Sequence, residues 1–205
     1  MTKQDRFDVT IVLDRSGSMQ AIRSDMEGAI AKLIDDQAAQ PGECRLSLYQ
    51  FDDQFEQVLA AVDVKTRPTV KLEPRGNTAL HDAVARAIDA TGRRLAELPE
   101  DQRPAKVIFT VVTDGMENSS REHTKESVRL RVERQTRDYG WQFLFLGAGL
   151  DSHQQGTQYG MQAVNYVASP VGAQCAMDSY SAALTTARSS GKNMQLADDL
   201  TPGAQ

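Results

Sequence analysis

Two serines and an aspartate occupy alternate positions at the end of an apolar segment. The stretch IVLDRSGSMQ places Asp14, Ser16 and Ser18 directly after the apolar run of residues 7–13. Side chains two residues apart in an extended loop point the same way. Carboxylate and hydroxyl oxygens are the ligands of hard cations such as Mg²⁺, and Gly17 lets the backbone curl tightly around an ion. The spacing therefore indicates a candidate cation site.

Two further polar loops lie at the ends of predicted elements, one before a helix and one after a strand. Thr78 lies in a Gly-Asn-Thr sequence that opens a predicted helix, and Thr113-Asp114-Gly115 directly follows the apolar strand of residues 107–112. In open sheets of parallel strands that alternate with helices, ligands bind outside the carboxyl ends of the strands. We therefore expect two carboxylates and three hydroxyls, with no histidine or thiol, to meet at one edge of the sheet. The set is Asp14, Ser16, Ser18, Thr78 and Asp114.

Each of these residues also has a simpler explanation. Ser18 and Thr78 both precede predicted helices, where serine and threonine are good N-caps. An aspartate after a strand is often a turn former. Capping does not explain why Asp14 and Asp114 should converge, so the metal site is the favoured interpretation.

Apolar segments alternate with amphipathic ones along the chain. The predicted strands are residues 7–13, 45–51, 55–59, 107–112, 141–146 and 163–166. The predicted helices are residues 21–39, 80–95, 123–138, 151–159 and 173–187. This order predicts an α/β fold, Rossmann-like and doubly wound, with helices on both faces of a mostly parallel central sheet. The short turn at Asp52-Asp53 makes residues 55–59 an antiparallel edge strand, because parallel strands need a longer crossover.

The composition is that of a soluble globular domain. The chain has 205 residues, of which 40% are hydrophobic and 25% are charged. The net charge of −5 argues against nucleic-acid binding, which needs clustered Lys and Arg, and the basic stretch at residues 129–137 is interpreted as a solvated helix face. We expect a single domain over residues 1–188, followed by a polar, mobile tail over residues 189–205 that has no apolar period.

The compartment is inferred from what the sequence contains. Residues 1–10 lead straight into a strand without an apolar signal region, and no apolar run approaches the roughly 20 residues of a membrane helix. Cys44 and Cys175 are far apart and are interpreted as inert thiols rather than a disulfide. We therefore expect a cytoplasmic protein that does not bind membranes. Its oligomeric state stays open.

The five candidate ligands match a known pattern residue by residue. The sequence resembles a von Willebrand factor type A (VWA) domain, whose metal-ion-dependent adhesion site (MIDAS) reads Asp-x-Ser-x-Ser, then Thr, then Asp. Over residues 7–188 it is similar to bacterial stand-alone members, which share the segments GNTALHDAV, VVTDGMENSS and FLFLGAGLDS. There are two departures. His81 stands where an aromatic residue such as Tyr is commoner, and GAGLDS stands where an Asn often follows the Gly-Ala.

The resemblance implies how the site would work. Ser16, Ser18 and Thr78 would ligate the ion directly, with Asp14 and Asp114 acting largely through waters. Neutral hydroxyls leave the ion much of its positive charge, so an Asp or Glu from a partner protein can complete its coordination. The implied ion is Mg²⁺, with Mn²⁺ or Ca²⁺ as alternatives, and the implied function is protein binding without catalysis.

Two other functions share single features of this sequence. A strand-end Asp with Mg²⁺ is also found in phosphoryl-transfer hydrolases of the haloacid dehalogenase type, in which Asp14 would be the nucleophile. Those enzymes have a second Asp two residues later, where this chain has Ser16. A dinucleotide site is disfavoured because Gly147 and Gly149 are followed by Ser152 in place of the third glycine of the fingerprint.

Three histidines and two further acidic residues are not predicted to be metal ligands. His81, His123 and His153 lie on three separate segments, without the paired spacing of zinc ligands. Asp82 and Glu117 lie near the metal loops in sequence, where they either support the ligands or shape the partner surface.

Overall fold

The computed structural model describes residues 3–200, except the side chains of residues 3–5 and 150–153. The strands are β1 (Lys3–Asp14), β2 (Glu43–Phe51), β3 (Phe55–Asp63), β4 (Pro104–Thr113), β5 (Gln142–Ala148) and β6 (Gln162–Tyr166). The helices are α1 (Arg23–Ala38), α2 (Leu80–Ala96), α3 (Lys125–Tyr139), α4 (Leu150–Gln158) and α5 (Pro170–Ser190). Within residues 3–200, no helix combines the length and the apolar character needed to cross a membrane.

The six strands form one sheet in the order β3-β2-β1-β4-β5-β6. β2 and β3 are antiparallel, and the other neighbouring pairs are parallel. The predicted architecture, a mostly parallel sheet with one antiparallel edge strand, is therefore confirmed. The strand at that edge is longer than predicted and ends at Asp63, because an irregularity near Ala61 (φ 49°) lets pairing with β2 resume after Leu59.

Side chains alternate between the two faces of β1, as the period of a strand requires. Val9 and Ile11 pack with α1 and α5, whereas Val12 packs with α2 and α3 on the opposite face. Thr10 faces the same side as Val12, and its hydroxyl lies 3.2 Å from that of Thr91 in α2. Helices therefore cover both faces of the central strand. Residues 11–13 of β1 are all apolar because both sides of the strand are buried.

The strand register places two of the predicted metal loops side by side. Leu13 of β1 pairs with Val112 of β4, so the next residues, Asp14 and Thr113, end neighbouring strands at the same edge. Asp14 also pairs with Phe51, the last residue of β2. The loops that follow β1, β2 and β4 therefore begin together at the carboxyl edge of the sheet.

The segment after α5 packs along the sheet. α5 ends at Ser190, and residues 192–200 run from the start of β5 along β6. The Met194 N–H donates to Gln142 at 3.0 Å, and Asn165 of β6 bonds the backbone of residues 198 and 200. Met194 is 1% exposed, and Leu196 and Leu200 pack partly buried against the same core, so a few apolar residues anchor a stretch that has no apolar period. Of the expected mobile tail, residues 192–200 thus have a defined place on the sheet, and residues 201–205 lie outside the described residues.

The first turn of α5 leaves no room for a side chain at Gly172. A Cβ added there would lie 2.1 Å from the carbonyl oxygen of Val167, whereas one added at the exposed Gly28 of α1 would meet nothing within 4 Å. We expect Gly172→Ala to lower the free energy of unfolding by about 2–3 kcal/mol through overpacking. Gly28→Ala should raise it by about 0.5–1 kcal/mol. Urea unfolding followed by circular dichroism measures both, and similar effects at the two positions would contradict this packing.

Candidate metal centre

Asp14 ends β1 with its carboxylate turned into the protein. The residue is 0% exposed. The Ser16 N–H donates to Oδ1 at 2.6 Å, and the Thr113 hydroxyl donates to Oδ2 at 2.6 Å. The first bond is the local aspartate turn that reverses the chain after a strand. Together the two bonds fix both oxygens of the carboxylate.

The two serines of the first loop connect it to the loop after β4. Their Oγ atoms lie 3.1 Å apart, and the Ser18 hydroxyl donates to Oδ1 of Asp114 at 2.6 Å. Ser16 is buried, whereas Ser18 is exposed. The hydroxyl pair therefore leads from the interior, beside Asp14, to the surface of the protein.

Gly115 marks the point where all three loops meet. A Cβ added to Gly115 would lie 3.3 Å from Oγ1 of Thr78 and 3.8 Å from both Oδ2 of Asp14 and Oγ of Ser18. These oxygens therefore surround one small space, and Gly115 leaves that space free of a side chain. With the serine contacts described above, the structure brings together all five residues that the sequence singled out. Their role as metal ligands stays a prediction.

Helix capping does not account for these hydroxyls. The N-cap of α2 is Ala79, one residue after Thr78, and the first-turn N–H groups of His81 and Asp82 are bound by Glu117 and Ser120, not by Thr78. Ser18 lies inside a 3₁₀ helix, Gly17–Ile22, whose N-cap residue Ser16 makes no side-chain cap hydrogen bond. The simpler explanation considered for Ser18 and Thr78 is therefore not supported by their positions.

Asn118 holds the Thr78 loop in place and was missed in the sequence. The Thr78 N–H donates to Oδ1 of Asn118 at 2.9 Å, and the Asn118 N–H donates to the Thr78 carbonyl at 3.1 Å. This reciprocal pair ties the second loop to the third. The only available signal was that Asn118 follows Asp114 closely, because the contact joins residues 40 positions apart.

Asp82 of α2 and Glu117 of the third loop hold this loop against the start of α2. The Asp82 carboxylate accepts hydrogen bonds from the backbone N–H groups of residues 121, 122 and 123 at 2.7–3.0 Å. Burial alone would raise the pKa of Asp82, but these three donors bring it below its ordinary value. Glu117 accepts from the backbone N–H groups of His81, at 2.8 Å, and Ser120, at 2.7 Å. Both carboxylates are therefore engaged in shaping the loop.

The two carboxylates of the site are held in an environment that disfavours their charge. Burial raises the pKa of Asp14 from 3.8 to about 6, although the hydrogen bonds from Thr113 and Ser16 oppose this change. Burial also raises the pKa of Asp114. A cation between them would favour the ionised forms and offset the cost of burying them. This electrostatic arrangement fits a site for a positive ion.

The donor set fits a hard cation. Within residues 3–200, no group of three or more His, Cys, Asp or Glu side chains is placed to hold a metal ion. The site therefore depends on hydroxyls as well as on its two carboxylates. Oxygen ligands of this kind suit Mg²⁺, Mn²⁺ or Ca²⁺ better than the softer metals that select sulfur.

Two of the three histidines have other contacts. The His81 ring packs edge-on against Tyr159, with the ring centroids 5.7 Å apart. Nδ1 of His123 lies 3.5 Å from Oγ of Ser127 at the start of α3. The side chain of His153 lies outside the described residues.

The family comparison agrees with this geometry. The model of the von Willebrand factor type A domain matches residues 8–162, so the chain belongs to the von Willebrand factor type A domain family. The resemblance noted in the sequence is thereby confirmed. No curated protein matches the sequence.

Several solved structures have the same fold. Proximal thread matrix protein 1 from the mussel byssus has a TM-score of 0.61 and 15% identity, over 89% of this chain and 46% of that chain. A von Willebrand factor type A protein from Catenulispora acidiphila has a TM-score of 0.59 and 15% identity, over 87% of this chain and 42% of that chain. The mussel protein with zinc in its MIDAS motif has a TM-score of 0.59 and 18% identity, over 89% of this chain and 46% of that chain. This chain spans less than half the length of these proteins, and at such identities the likeness shows the fold alone.

Proposed function

We propose that this domain is a metal-dependent protein-binding module. The hydroxyls of Ser16, Ser18 and Thr78 would hold a divalent cation directly, with Asp14 and Asp114 acting largely through water. The observation that carries the proposal is the convergence of oxygens from all three loops around Gly115. The mussel protein with zinc in its MIDAS motif supports a metal in this kind of site. Mg²⁺ is the proposed ion because all the donors are oxygens, with Mn²⁺ or Ca²⁺ as alternatives.

The proposed partner is a protein that supplies an Asp or Glu side chain. An ion held mainly by neutral hydroxyls keeps much of its positive charge, so a carboxylate that completes its coordination makes a charge-assisted contact. The site opens toward solvent on the side where Ser18 is exposed, and Met116, two residues after Asp114 in the third loop, is 52% exposed. This is the side from which a partner would approach.

A phosphoryl-transfer hydrolase with Asp14 as nucleophile is the second candidate, and the geometry disfavours it. A nucleophile must have a free oxygen within reach of the reacting atom. Asp14 is fully buried, and both of its oxygens accept hydrogen bonds at 2.6 Å. We therefore propose that the site binds without catalysis.

Nucleic acid is not the proposed partner, and the proposed location is the cytoplasm. Arginines on the basic face of α3 form ion pairs within the protein, for example Arg129 with Glu126 at 2.7 Å and Arg131 with Asp89 of α2 at 3.0 Å. These guanidinium groups are therefore already engaged.

The proposal of a cytoplasmic location is supported by Cys44 and Cys175, which are both free thiols.

Manganese is the most direct probe of this proposal. Mn²⁺ replaces Mg²⁺ at oxygen sites, and its effect on water proton relaxation reports how much water the bound ion retains. We expect one Mn²⁺ to bind per chain and EDTA to remove it. Acetate or a glutamate-containing peptide should then lower the relaxation enhancement by displacing water. Absence of Mn²⁺ binding would contradict the metal site, and an enhancement insensitive to carboxylates would contradict completion by a partner.

A further inference from the structure

An ion network with a buried centre, Arg15 and Asp52, lies beside the first metal loop. Arg15 stands between the proposed ligands Asp14 and Ser16, yet its side chain is only 5% exposed. Its Nε donates to Oδ2 of Asp52 at 3.1 Å, and its Nη1 donates to Oε2 of Glu56 at 2.7 Å. Its Nη2 is buried without a hydrogen-bond partner within residues 3–200. The positive charge of Arg15 is therefore compensated by Asp52 and Glu56.

Asp52 also bonds the second metal loop. Its Oδ2 accepts from Nε of Arg75 at 2.7 Å, and its backbone carbonyl accepts from the Ala79 N–H at 3.1 Å. Thr78 lies directly before Ala79 in this loop. The Arg75 N–H in turn donates to the Arg15 carbonyl at 2.8 Å. One buried carboxylate thus contacts both the Asp14–Ser18 loop and the loop that carries Thr78.

The charges of this network balance without the metal site. Two guanidinium groups, of Arg15 and Arg75, face two carboxylates, of Asp52 and Glu56. Neither guanidinium therefore needs Asp14 or Asp114 as a counter-ion. A guanidinium released near those two acids would compete with a divalent cation for them, because an arginine in a site of low dielectric pairs strongly with any carboxylate it can reach.

We infer that Asp52 is a positioning residue for the metal site, which it serves by holding the Arg15 guanidinium away from Asp14 and Asp114. The inference rests on the proposed function, since it assigns Asp52 a role in cation binding. The alternative is that the pair only stabilises the fold. A comparable pair exists in the middle of β1, six residues before Asp14, where Arg94 donates to both oxygens of the buried Asp8 at 2.6 and 2.8 Å. That pair provides a matched control.

The test compares Asp52→Asn with Asp8→Asn. In Asp52→Asn, Oδ1 can still accept from the Gln54 N–H, but an amide NH₂ would face the Nε donors of Arg15 and Arg75. We expect the Mg²⁺ affinity, measured by calorimetry on folded protein, to fall by at least about tenfold. In Asp8→Asn it should stay within about twofold of the wild type. The double variant Arg15→Met/Asp52→Asn should regain affinity to within about threefold of the wild type, because the competing cation is gone.

Each outcome bears on a different claim. If the wild type binds no Mg²⁺, the proposed function fails. If the wild type binds Mg²⁺ but Asp52→Asn behaves like Asp8→Asn, or the double variant does not regain affinity, the positioning role is overturned. A restored affinity cannot come from stability alone, since the double variant lacks the ion pair altogether.

A second variant covers the case in which Asp52→Asn does not fold. Glu56 is 60% exposed, so Glu56→Gln leaves the core intact while it removes one anchor of Arg15. We expect a loss of Mg²⁺ affinity of about threefold, reversed by adding Arg15→Met. The control is Glu133→Gln on α3, which breaks an ion pair with Arg129 and should change nothing at the metal. An unaltered affinity in Glu56→Gln would overturn the inference.

Discussion

Asp14→Asn is expected to abolish Mg²⁺ binding and, at neutral pH, to make the metal-free protein more stable. Burial raises the pKa of Asp14 to about 6, so at pH 7.5 the folded chain holds a charge that its surroundings disfavour. A shift of about two pKa units corresponds to about 3 kcal/mol. Asparagine removes the charge and keeps the shape. We therefore expect the free energy of unfolding in EDTA to rise by about 1–3 kcal/mol.

The hydrogen bonds around residue 14 can adapt to the amide. Its oxygen can accept from the Ser16 N–H as before. Its NH₂ can donate to the Thr113 hydroxyl, which already lies 3.0 Å from the carbonyl of Gly115 and can donate there instead. Urea unfolding in EDTA and calorimetry with Mg²⁺ measure the two effects. A variant that is destabilised without metal, or that retains Mg²⁺ binding, would contradict this account of Asp14.

The same carboxylate gives stability and metal affinity opposite dependences on pH. Because the folded pKa, about 6, lies above the ordinary 3.8, the metal-free folded protein binds more protons than the unfolded chain between these values. The contribution of Asp14 to stability is therefore greatest below the lower value and is lost as the pH rises through the upper one. Affinity for Mg²⁺ should instead fall by about tenfold per pH unit below 6, because the proton competes with the ion. A stability difference between wild type and Asp14→Asn that did not vary with pH would contradict this assignment.

Thr78→Ala is expected to eliminate metal-dependent partner binding while leaving the fold intact. The backbone N–H and carbonyl of Thr78 are both held by Asn118, and these bonds do not need the Thr78 side chain. On the proposed function, loss of the hydroxyl would leave the ion one ligand short, so we expect Mn²⁺ affinity to fall by at least about tenfold. A partner carboxylate would then meet Asp14 and Asp114 with little positive charge between them, and like charges repel. Capture from lysate in Mg²⁺, compared with capture in EDTA, gives the measurement.

A second buried threonine provides the control. The Thr10 hydroxyl contacts that of Thr91 between β1 and α2, away from the metal loops. Thr10→Ala should lower the free energy of unfolding by about 1 kcal/mol without changing Mn²⁺ affinity or the captured proteins. If Thr78→Ala captured the same proteins as the wild type in Mg²⁺, the threonine would have no part in partner binding.

The candidate ligands were predictable because their positions follow from strand ends. Asp14 and Asp114 each follow an apolar run, and parallel strands bring such ends to one edge whatever the details of packing. Asn118 and Asp52 were not predictable in this way. Their roles come from contacts with residues 37–40 positions away, across irregular loops whose shape no periodicity specifies. Local pattern thus predicts the candidate ligands, whereas tertiary contacts decide which residues hold those ligands in place.

The ends of the strands and helices also depend on contacts that the local sequence pattern does not reveal. The register of β2 with β3 beyond Leu59 depends on an irregular pairing near Ala61, which an alternating pattern does not reveal. The stretch before α1 forms a 3₁₀ helix from Gly17, where apolar spacing indicated only an α-helix from residue 21. Residues 192–200 are held by the buried Met194, with the partly buried Leu196 and Leu200, and three such residues in a polar stretch do not form a recognisable period.

The segment that runs along β6 also limits how this protein can associate with others. An open sheet has two edges, and an unpaired edge strand can recruit a strand from another chain. At one edge, residues 198–200 already occupy backbone groups of Asn165 in β6. At the other, β3 carries the exposed side chains of Glu56 and Gln57 and an irregular stretch near Ala61. Addition of a strand from another chain would have to displace residues 198–200 or straighten the irregular stretch of β3. Neither edge of the sheet therefore offers a ready template for strand pairing.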